Sequence, residues 1–547
     1  MFSALPATNI DAAEAVPSTI GPKALDCVEL PSTTSRSEDT SSLLYQLMVL
    51  EKALNNFYNT TQHGSVHKTN IQGESLISDQ QWFSFFMNKL AQACDSERGG
   101  KTVSAITVLQ GLDGPVFLLA SNQRDDDELD KAKSFVEKLL RLVGDNPDRL
   151  KKKPRVKQVL NQILEFGIKR VDLYLKYLEI HLDECIACCS MNADAEIKDE
   201  LEKLKVVTVF PRDIVSTTNA RLKFFSDCST LINAILAMKN TTFEKYITKR
   251  AIGDNVSNPE PWRELRHYCG RLFSYRQAAE TLLAAQERWP PLFKSFTVFP
   301  ISSGTRMPKP IRTIPSHPIT AAQIIKNMGL DTEQMEFYLL QIQPLERMGL
   351  DKGLQSIVAN PRFRPIIHAE VLIHDCLQRL PVDPEHLYWN NWKYIGSSKP
   401  TCRLCSYYFE GRDVTVRESH NNLYPSWRLP DLPEHANETA VDMHLSLLAR
   451  LKDHMRNDIE RLIHEKKRAG KRHDSLTYSG AIEDVDDLTS VTCSVSGTPS
   501  TLISELENCQ VGTTCGTPSQ SNNDDWVIAG EKSDISGEDE NDSSDGA

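Results

Sequence analysis

The fold of this chain is decided by two short stretches, HAE at residues 368–370 and PTCRLC at residues 400–405. Together they supply one imidazole and two thiols, which are side chains that zinc binds, and one carboxylate. A tetrahedral zinc with three protein ligands keeps its fourth position open for water, which is typical of a catalytic site. A carboxylate beside that water can accept and return its protons. The two stretches therefore predict a catalytic zinc site.

The predicted zinc ligands are His368, Cys402 and Cys405, and Glu370 is predicted to move protons without binding the metal. The alternative is a helical histidine, a surface glutamate and two buried thiols, because each stretch alone is a weak signal. Three features favour the metal site: the order of the stretches, the 34 residues from His368 to Cys402, and the strand-like segment before the cysteines.

The elements around these stretches predict a fold that mixes strands and helices. Two β-prone runs, at 102–109 and 116–120, are joined by a hairpin-like connection. A helix is predicted from His368, a strand at 388–395, and a further helix from Thr401. The cysteines then lie near a helix N-terminus, where the helix dipole favours the thiolate form.

Between these two parts the apolar residues recur at helical spacing, from about 128 to 295. The segment 297–320 has five prolines from Pro300 to Pro318 and is predicted to be an extended connector. One cluster in the helical part could be mistaken for a second zinc site: His181, Cys185, Cys188 and Cys189. It lacks the turn residues of a zinc knuckle, so we predict buried packing residues instead.

Composition restricts the class of protein. Of 547 residues, 40% are hydrophobic and 25% are charged, which is ordinary for a globular protein. No run of about 18 apolar residues occurs, so we expect neither a membrane-spanning helix nor a membrane partner. The 13 scattered cysteines do not form a disulfide framework and favour a reducing intracellular compartment, the cytoplasm or the nucleus.

Charge is distributed unevenly along the chain. The formal net charge is −12, but residues 474–547 alone contain 16 acidic residues and one basic residue, Lys532. The remainder therefore carries about +3, which permits a nucleic-acid partner without requiring one. The Ser, Thr, Asp and Glu of the tail cannot bury a core, so we predict that the tail is disordered.

The stretches YIGSSKPTCRLC at 394–405 and VRESHNNLYPSWRLPD at 416–431 resemble the OTT-type deaminase-like family. This family is known mainly from fungal proteins and belongs to the cytidine deaminase-like superfamily of zinc-dependent nucleic-acid and nucleotide deaminases. Histidine, glutamate and the two cysteines follow the zinc deaminase signature. The resemblance covers about residues 75–125 and 355–435. One departure is Thr401, which stands between the signature proline and the first cysteine.

The resemblance implies an α/β fold: a three-layer cytidine deaminase-like domain, with a mixed sheet and helices, interrupted by a large all-helical insertion and flanked by disordered termini. The implied segments, in chain order, are a disordered N-terminus (1–41), N-terminal helices with the first part of the deaminase-like domain (42–125), a helical insertion and linker (126–350), the zinc-site part of the domain (351–435), a C-terminal amphipathic helix (436–473) and an acidic disordered tail (474–547).

The resemblance also implies a zinc-dependent hydrolase that removes the exocyclic amine of a nucleobase in a nucleic acid or nucleotide. Zinc-bound hydroxide would attack the carbon that bears the amine, and Glu370 would be the catalytic proton shuttle. Asn122, which follows the second predicted strand, would bind the sugar of the substrate. Cytosine and adenine remain alternative bases.

Two other functions remain as alternatives. The chain could be a catalytically inactive, zinc-stabilised interaction protein, although a purely structural zinc site has no need of Glu370. It could also be a nucleic-acid-binding module without chemistry, although the sequence has no strongly basic stripe.

Overall fold

The computed structural model describes residues 38–58, 78–146, 149–189, 194–212, 217–253, 258–311, 318–380, 387–433 and 435–467. These residues all belong to one unit, formed from 1–68 and 72–478. The acidic tail predicted to be disordered, at 474–547, lies outside the described residues. So do residues 1–37 of the predicted disordered N-terminus, whereas the backbone from Glu38 onward is already helical.

Five strands form one mixed sheet: β1 (Ser104–Gln110), β2 (Pro115–Ser121), β3 (Thr297–Ile301), β4 (Tyr394–Ser397) and β5 (Thr415–Val416). Their spatial order is β3-β2-β1-β4-β5. The central strand β1 is antiparallel to both β2 and β4, whereas β3 is parallel to β2 and β5 is parallel to β4. The pairing of β1 with β4 joins two parts of the domain that are far apart in sequence.

Strand β3 differs from the sequence-based expectation. Its residues were expected to begin the extended connector at 297–320, but they pair in parallel with β2, for example Val116 with Thr297. Pro300, which has no backbone N–H, lies within the strand. It is tolerated there because β3 is an edge strand, and no further strand of the described residues on its outer side needs that N–H as a donor. The prolines therefore led to the prediction of a connector where the chain forms a strand that extends the sheet.

The helices of the described residues are α1 (Glu38–Phe57), α2 (Asp79–Cys94), α3 (Asp126–Gly144), α4 (Lys152–Phe166), α5 (Ile168–Cys188), α6 (Ala195–Thr208), α7 (Thr218–Ala237), α8 (Thr242–Ala251), α9 (Glu260–Arg288), α10 (Ala321–Lys326), α11 (Thr332–Arg347), α12 (Leu350–Ala359), α13 (Ala369–Gln378), α14 (Arg403–Phe409) and α15 (Glu438–Glu465). Among these helices, none combines the length and the apolar character that crossing a membrane requires.

Helices cover both faces of the sheet. On one face, Ala105 and Leu109 of β1 share a core with Val371 of α13 and with residues of α1. On the other face, Gly396 of β4 lies so close to α2 that an added Cβ would be 2.6 Å from Cβ of Met87. Because successive residues of a strand point to opposite faces, the sheet lies between two layers of helices. The predicted α/β fold with a mixed sheet and a helical insertion is confirmed.

The helical insertion is attached to the sheet layer by buried polar contacts. Gln92 of α2 donates to Ser274 of α9 (2.5 Å), and Lys89 of α2 donates to Gln277 of α9 (3.1 Å). Arg170 of α5 also forms a buried ion pair with the residue that follows α2. A buried polar group costs free energy unless it finds a partner, so these pairs fix how the insertion packs on α2.

The His181 cluster of α5 does not form a metal site. Among the described residues, no group of three ligating side chains includes any of its members. His181 instead contacts Glu184 (2.8 Å), and Cys185 is buried. The prediction of buried packing residues is confirmed for Cys185 alone, because His181 and Cys189 are half-buried and Cys188 is exposed.

We expect that Gly396→Ala destabilises the protein by about 1–3 kcal/mol, because the new methyl group must displace the backbone of α2. Gly353→Ala in α12 is the matched control, because a Cβ there meets no atom within 4 Å. The control is expected to gain about 0.5–1 kcal/mol from its helical position. Urea unfolding measures both, and equal free energies of unfolding for the two variants would contradict the close packing of β4 on α2.

Candidate metal centre

The predicted ligands lie at the starts of two helices. His368 is the N-cap residue of α13, with φ −76° and ψ 152°, and Cys402 is the N-cap residue of α14, with φ −74° and ψ 166°. Cys405 lies in the first turn of α14, and its backbone N–H donates to Sγ of Cys402 (3.4 Å). A thiol in a capping position satisfies a helix N–H that would otherwise lack a partner, and this contact favours the thiolate.

The structure brings the three predicted ligands together. Nδ1 of His368 is 3.5 Å from Sγ of Cys402 and 3.4 Å from Sγ of Cys405. The three atoms all lie within 4.8 Å of one another, and both cysteines are buried. This group could therefore hold a metal ion.

The charges within the group favour a thiolate in the interior. Burial opposes ionisation, but hydrogen bonding with Cys405 and the charge of His368 hold the pKa of the Cys402 thiol well below its ordinary value. Burial and the neighbouring Cys402 thiolate raise the pKa of Cys405 well above its ordinary range. Burial also opposes the charged form of His368, yet Cys402 raises the pKa of that imidazole overall. The shifts thus describe a Cys402 thiolate paired with the charged form of His368.

Glu370 lies in the first turn of α13 and is buried. Its Oε2 atom has no hydrogen-bond partner among the described residues. Burial raises the pKa of this carboxyl, although the charge of His368 opposes the shift. A buried carboxyl oxygen without a partner is costly in a folded protein and is often found where a ligand or water binds.

Asn122 connects the end of β2 to the start of α13. Its Oδ1 accepts the backbone N–H of Ala369 (2.9 Å), and its amide nitrogen donates to the backbone oxygen of Gly100 (2.9 Å). The first bond satisfies a free N–H at the beginning of α13, immediately after His368. The asparagine therefore holds His368, a predicted metal ligand, against the sheet. Its predicted contact with the substrate sugar stays a prediction.

Thr401, the residue that departs from the signature, supports the loop opposite the cysteines. Its backbone N–H donates to the carbonyl of Glu418 (3.2 Å), and its own carbonyl accepts the N–H of His420 (3.1 Å). Its hydroxyl also donates to the carbonyl of Arg417. Thr401 thus pairs with the segment that follows β5, and both cysteines still lie beside His368.

One neighbouring side chain could not be identified from the sequence. The indole N–H of Trp427, which is fully buried, donates to Sγ of Cys405 (3.2 Å). A hydrogen bond to a metal ligand from a neighbouring side chain that does not itself bind the metal fixes the position of the ligand and changes its basicity. His374 is not such a side chain: it bonds the hydroxyl of Tyr408 (2.9 Å), and burial lowers its pKa to about 3.

A buried ionic group lies behind the cysteines. Arg403, between the two ligands in sequence, pairs with Glu51 of α1 and with Asp458 of α15 (3.2 Å to Oδ2). The hydroxyl of Tyr407 also donates to Asp458 (2.5 Å). The sequence offered one signal for this arrangement, because an arginine stands in the otherwise apolar first turn of α14.

The fold and this group define a mixed α/β domain with a buried site of three possible metal ligands and a carboxyl beside it. Residues 367–431 match the family model described as the OTT_1508-like deaminase. The matched range contains all three ligands, Glu370 and Trp427. It confirms, for this part of the chain, the resemblance to the OTT-type deaminase-like family that the sequence indicated. No curated protein and no solved structure matches the chain.

We expect that Trp427→Phe weakens metal binding by about 10–100-fold, because it removes the N–H that bonds Cys405 and keeps most of the ring. Competition with a chelator of known affinity measures the change. Trp262→Phe in α9 is the matched control, since this tryptophan is equally buried but its N–H has no partner among the described residues. Equal affinities in the two variants would contradict a role for the N–H to sulfur bond.

We expect Glu51 to make the stability of the protein depend on pH. Burial raises its pKa from 4.5 to about 7; Arg403 opposes this shift and Asp458 adds to it. Because the folded chain holds this proton more tightly, the stabilisation is complete below about pH 4.5 and is lost as the pH rises through about 7. Relative to Glu51→Gln, the parent should therefore lose on the order of 2–3 kcal/mol of unfolding free energy between about pH 5 and pH 8.

Urea titrations of both proteins at matched metal concentration check this difference. Glu202→Gln is the control, because Glu202 is exposed on α6 and its replacement should leave the pH dependence of the parent unchanged. Parallel pH profiles for the parent and Glu51→Gln would contradict the raised pKa.

Proposed function

We propose that this protein is a zinc-dependent deaminase that hydrolyses the exocyclic amine of a nucleobase, in a nucleic acid or a nucleotide. The observation that carries the proposal is Glu370, a buried carboxyl that interacts electrostatically with His368 and Cys402 and has an oxygen without a partner among the described residues. A site that only stabilises the fold has no use for such a carboxyl. The match of residues 367–431 to a deaminase family supports the same reaction class.

Zinc fits the residues of the group. One imidazole and two thiols form a donor set that zinc prefers to calcium or magnesium, which take oxygen ligands. Around a tetrahedral zinc, bonds of about 2.0–2.1 Å to nitrogen and about 2.3 Å to sulfur place these two atoms about 3.6 Å apart. The observed separations of Nδ1 of His368 from the two sulfurs are 3.5 and 3.4 Å. When bound, zinc acts as a Lewis acid that lowers the pKa of a water molecule in its open position.

Glu370 would carry the protons of the reaction. Its raised pKa suits a group that must both accept and donate a proton near neutral pH. It would take a proton from the attacking water, pass it to the ring nitrogen, and then transfer a proton to the leaving amine. Water and the amine become a carbonyl and ammonia, so the carboxyl is regenerated in its starting form.

Asn122 and Trp427 would keep the reacting groups in place. Asn122 caps α13 through the N–H of Ala369 and so orients His368 and Glu370 together. Its amide nitrogen donates one hydrogen bond to the backbone of the described residues, and we propose that its second N–H contacts the substrate. Trp427 holds Cys405 in its ligand position. The thiolate ligands require a reducing setting, so we expect the protein to act in the cytoplasm or the nucleus.

We expect Glu370→Gln to keep about one zinc per chain and to lose at least about 100-fold in turnover, because the amide cannot carry the proton. Cys402→Ala is the comparison, since it removes a ligand and should lose the zinc as well. Metal analysis and ammonia release from cytosine and adenine nucleosides, nucleotides and oligonucleotides measure the two effects. Undiminished turnover in Glu370→Gln would exclude this mechanism, and a zinc-loaded parent without turnover would favour the interaction protein.

A further inference from the structure

The exposed face of α11 carries an apolar stripe. Phe337, Leu340 and Pro344 follow one another at positions i, i+3 and i+7, and Met348 lies one turn beyond. The exposed fractions of the Phe337, Leu340 and Met348 side chains are 41%, 60% and 64%. Residues at this spacing share one side of a helix, so the four side chains form a continuous surface.

Of the stripe, the ring of Phe337 also stacks on His464 of α15 (centroids 5.2 Å apart), but α11 is attached mainly through its other side. Tyr338 and Ile342 on the opposite side of the helix are buried. The hydroxyl of Tyr338 also bonds Nε2 of His464 in α15 (3.1 Å). The helix therefore has one apolar face for the core and a second apolar face that is exposed to solvent, which is typical of a protein interaction site.

Charged residues stand at both ends of the stripe, on the same face of α11. Glu333 and Glu336 precede its apolar residues, and Arg347 follows Pro344. All three charged side chains are exposed, and within the described part of the chain none of them forms an ion pair. The helix dipole favours this order of charges, but it does not account for the exposed apolar residues between them.

We propose that the α11 stripe binds the α11 stripe of a second copy of this chain, with the two helices antiparallel. A two-fold axis near Leu340 then brings Phe337 next to Pro344 of the partner subunit, and it brings Glu333 next to Arg347 of the partner subunit. Each contact occurs twice, as in any interface between identical surfaces. A parallel arrangement would place like charges together, which is unfavourable.

The size of the stripe determines how strong the association can be. A helix of 16 residues is about 24 Å long. One helix face buries less than the roughly 800 Å² per partner that is usual in stable complexes. We therefore expect a dimer that dissociates on dilution. The proposal does not depend on the proposed enzymatic function.

Sedimentation velocity of the full chain over a concentration series tests the proposal. The weight-average mass is expected to rise from 61.6 kDa at low concentration towards twice that value. Leu340→Glu should remove the rise. Leu222→Glu in α7 is the matched control, because Leu222 is also 60% exposed, and it should associate like the parent. Circular dichroism checks that each variant is folded.

A charge exchange tests the orientation of the two helices. Arg347→Glu places two acidic groups together at each end of the interface and should weaken association about tenfold. Adding Glu333→Arg to this variant restores opposite charges and should restore association. A parent that stays monomeric at every concentration would overturn the proposal. This is the result expected if another part of the chain covers the stripe. A dimer that survives Leu340→Glu, or a double variant without recovery, would also overturn it.

Discussion

Arg403 lies between the two predicted cysteine ligands in sequence, and its guanidinium is buried between carboxyl groups from opposite ends of the described chain. A buried cation without partners is strongly unfavourable, so the cysteine helix can occupy its place only when Glu51 and Asp458 are also in place. The helices α1 and α15, which carry these carboxyl groups, thus form part of the support of the candidate metal site. The matched family segment ends before α15 begins, yet the site rests on residues well outside that segment.

The site was more predictable than its surroundings. His368, Cys402 and Cys405 could be predicted to lie together because zinc chemistry demands particular side chains, and residue identity is what a sequence shows. Trp427 could not, because an indole that donates to a sulfur looks in sequence like any buried aromatic residue. The arginine Arg403 was conspicuous in its helix, but its partners could not be predicted, because they lie 352 and 55 residues away. Contacts over such separations follow from the fold and not from local spacing.

The fold was predictable where the pattern of residues is regular. The β1–β2 hairpin and the α13 helix have the periodicities of a buried strand and an amphipathic helix. Strand β3 was missed because Pro300 is a signal against a strand, and only its position at the edge of the sheet makes it acceptable. This strand also returns the chain from the helical insertion to the sheet. The insertion is therefore joined to the domain by backbone pairing as well as by side chains.

The hydrogen bond from Ala369 to Asn122 joins residues 247 positions apart and so closes a very large loop. The entropy lost on closing a flexible loop rises only with the logarithm of its length, and doubling the length costs only about 0.6 kcal/mol. The free energy of closing this loop therefore depends only weakly on the length of the segment between Asn122 and Ala369. Evolution could lengthen, shorten or replace that segment at little cost to the candidate metal site, provided that both ends still meet at the sheet.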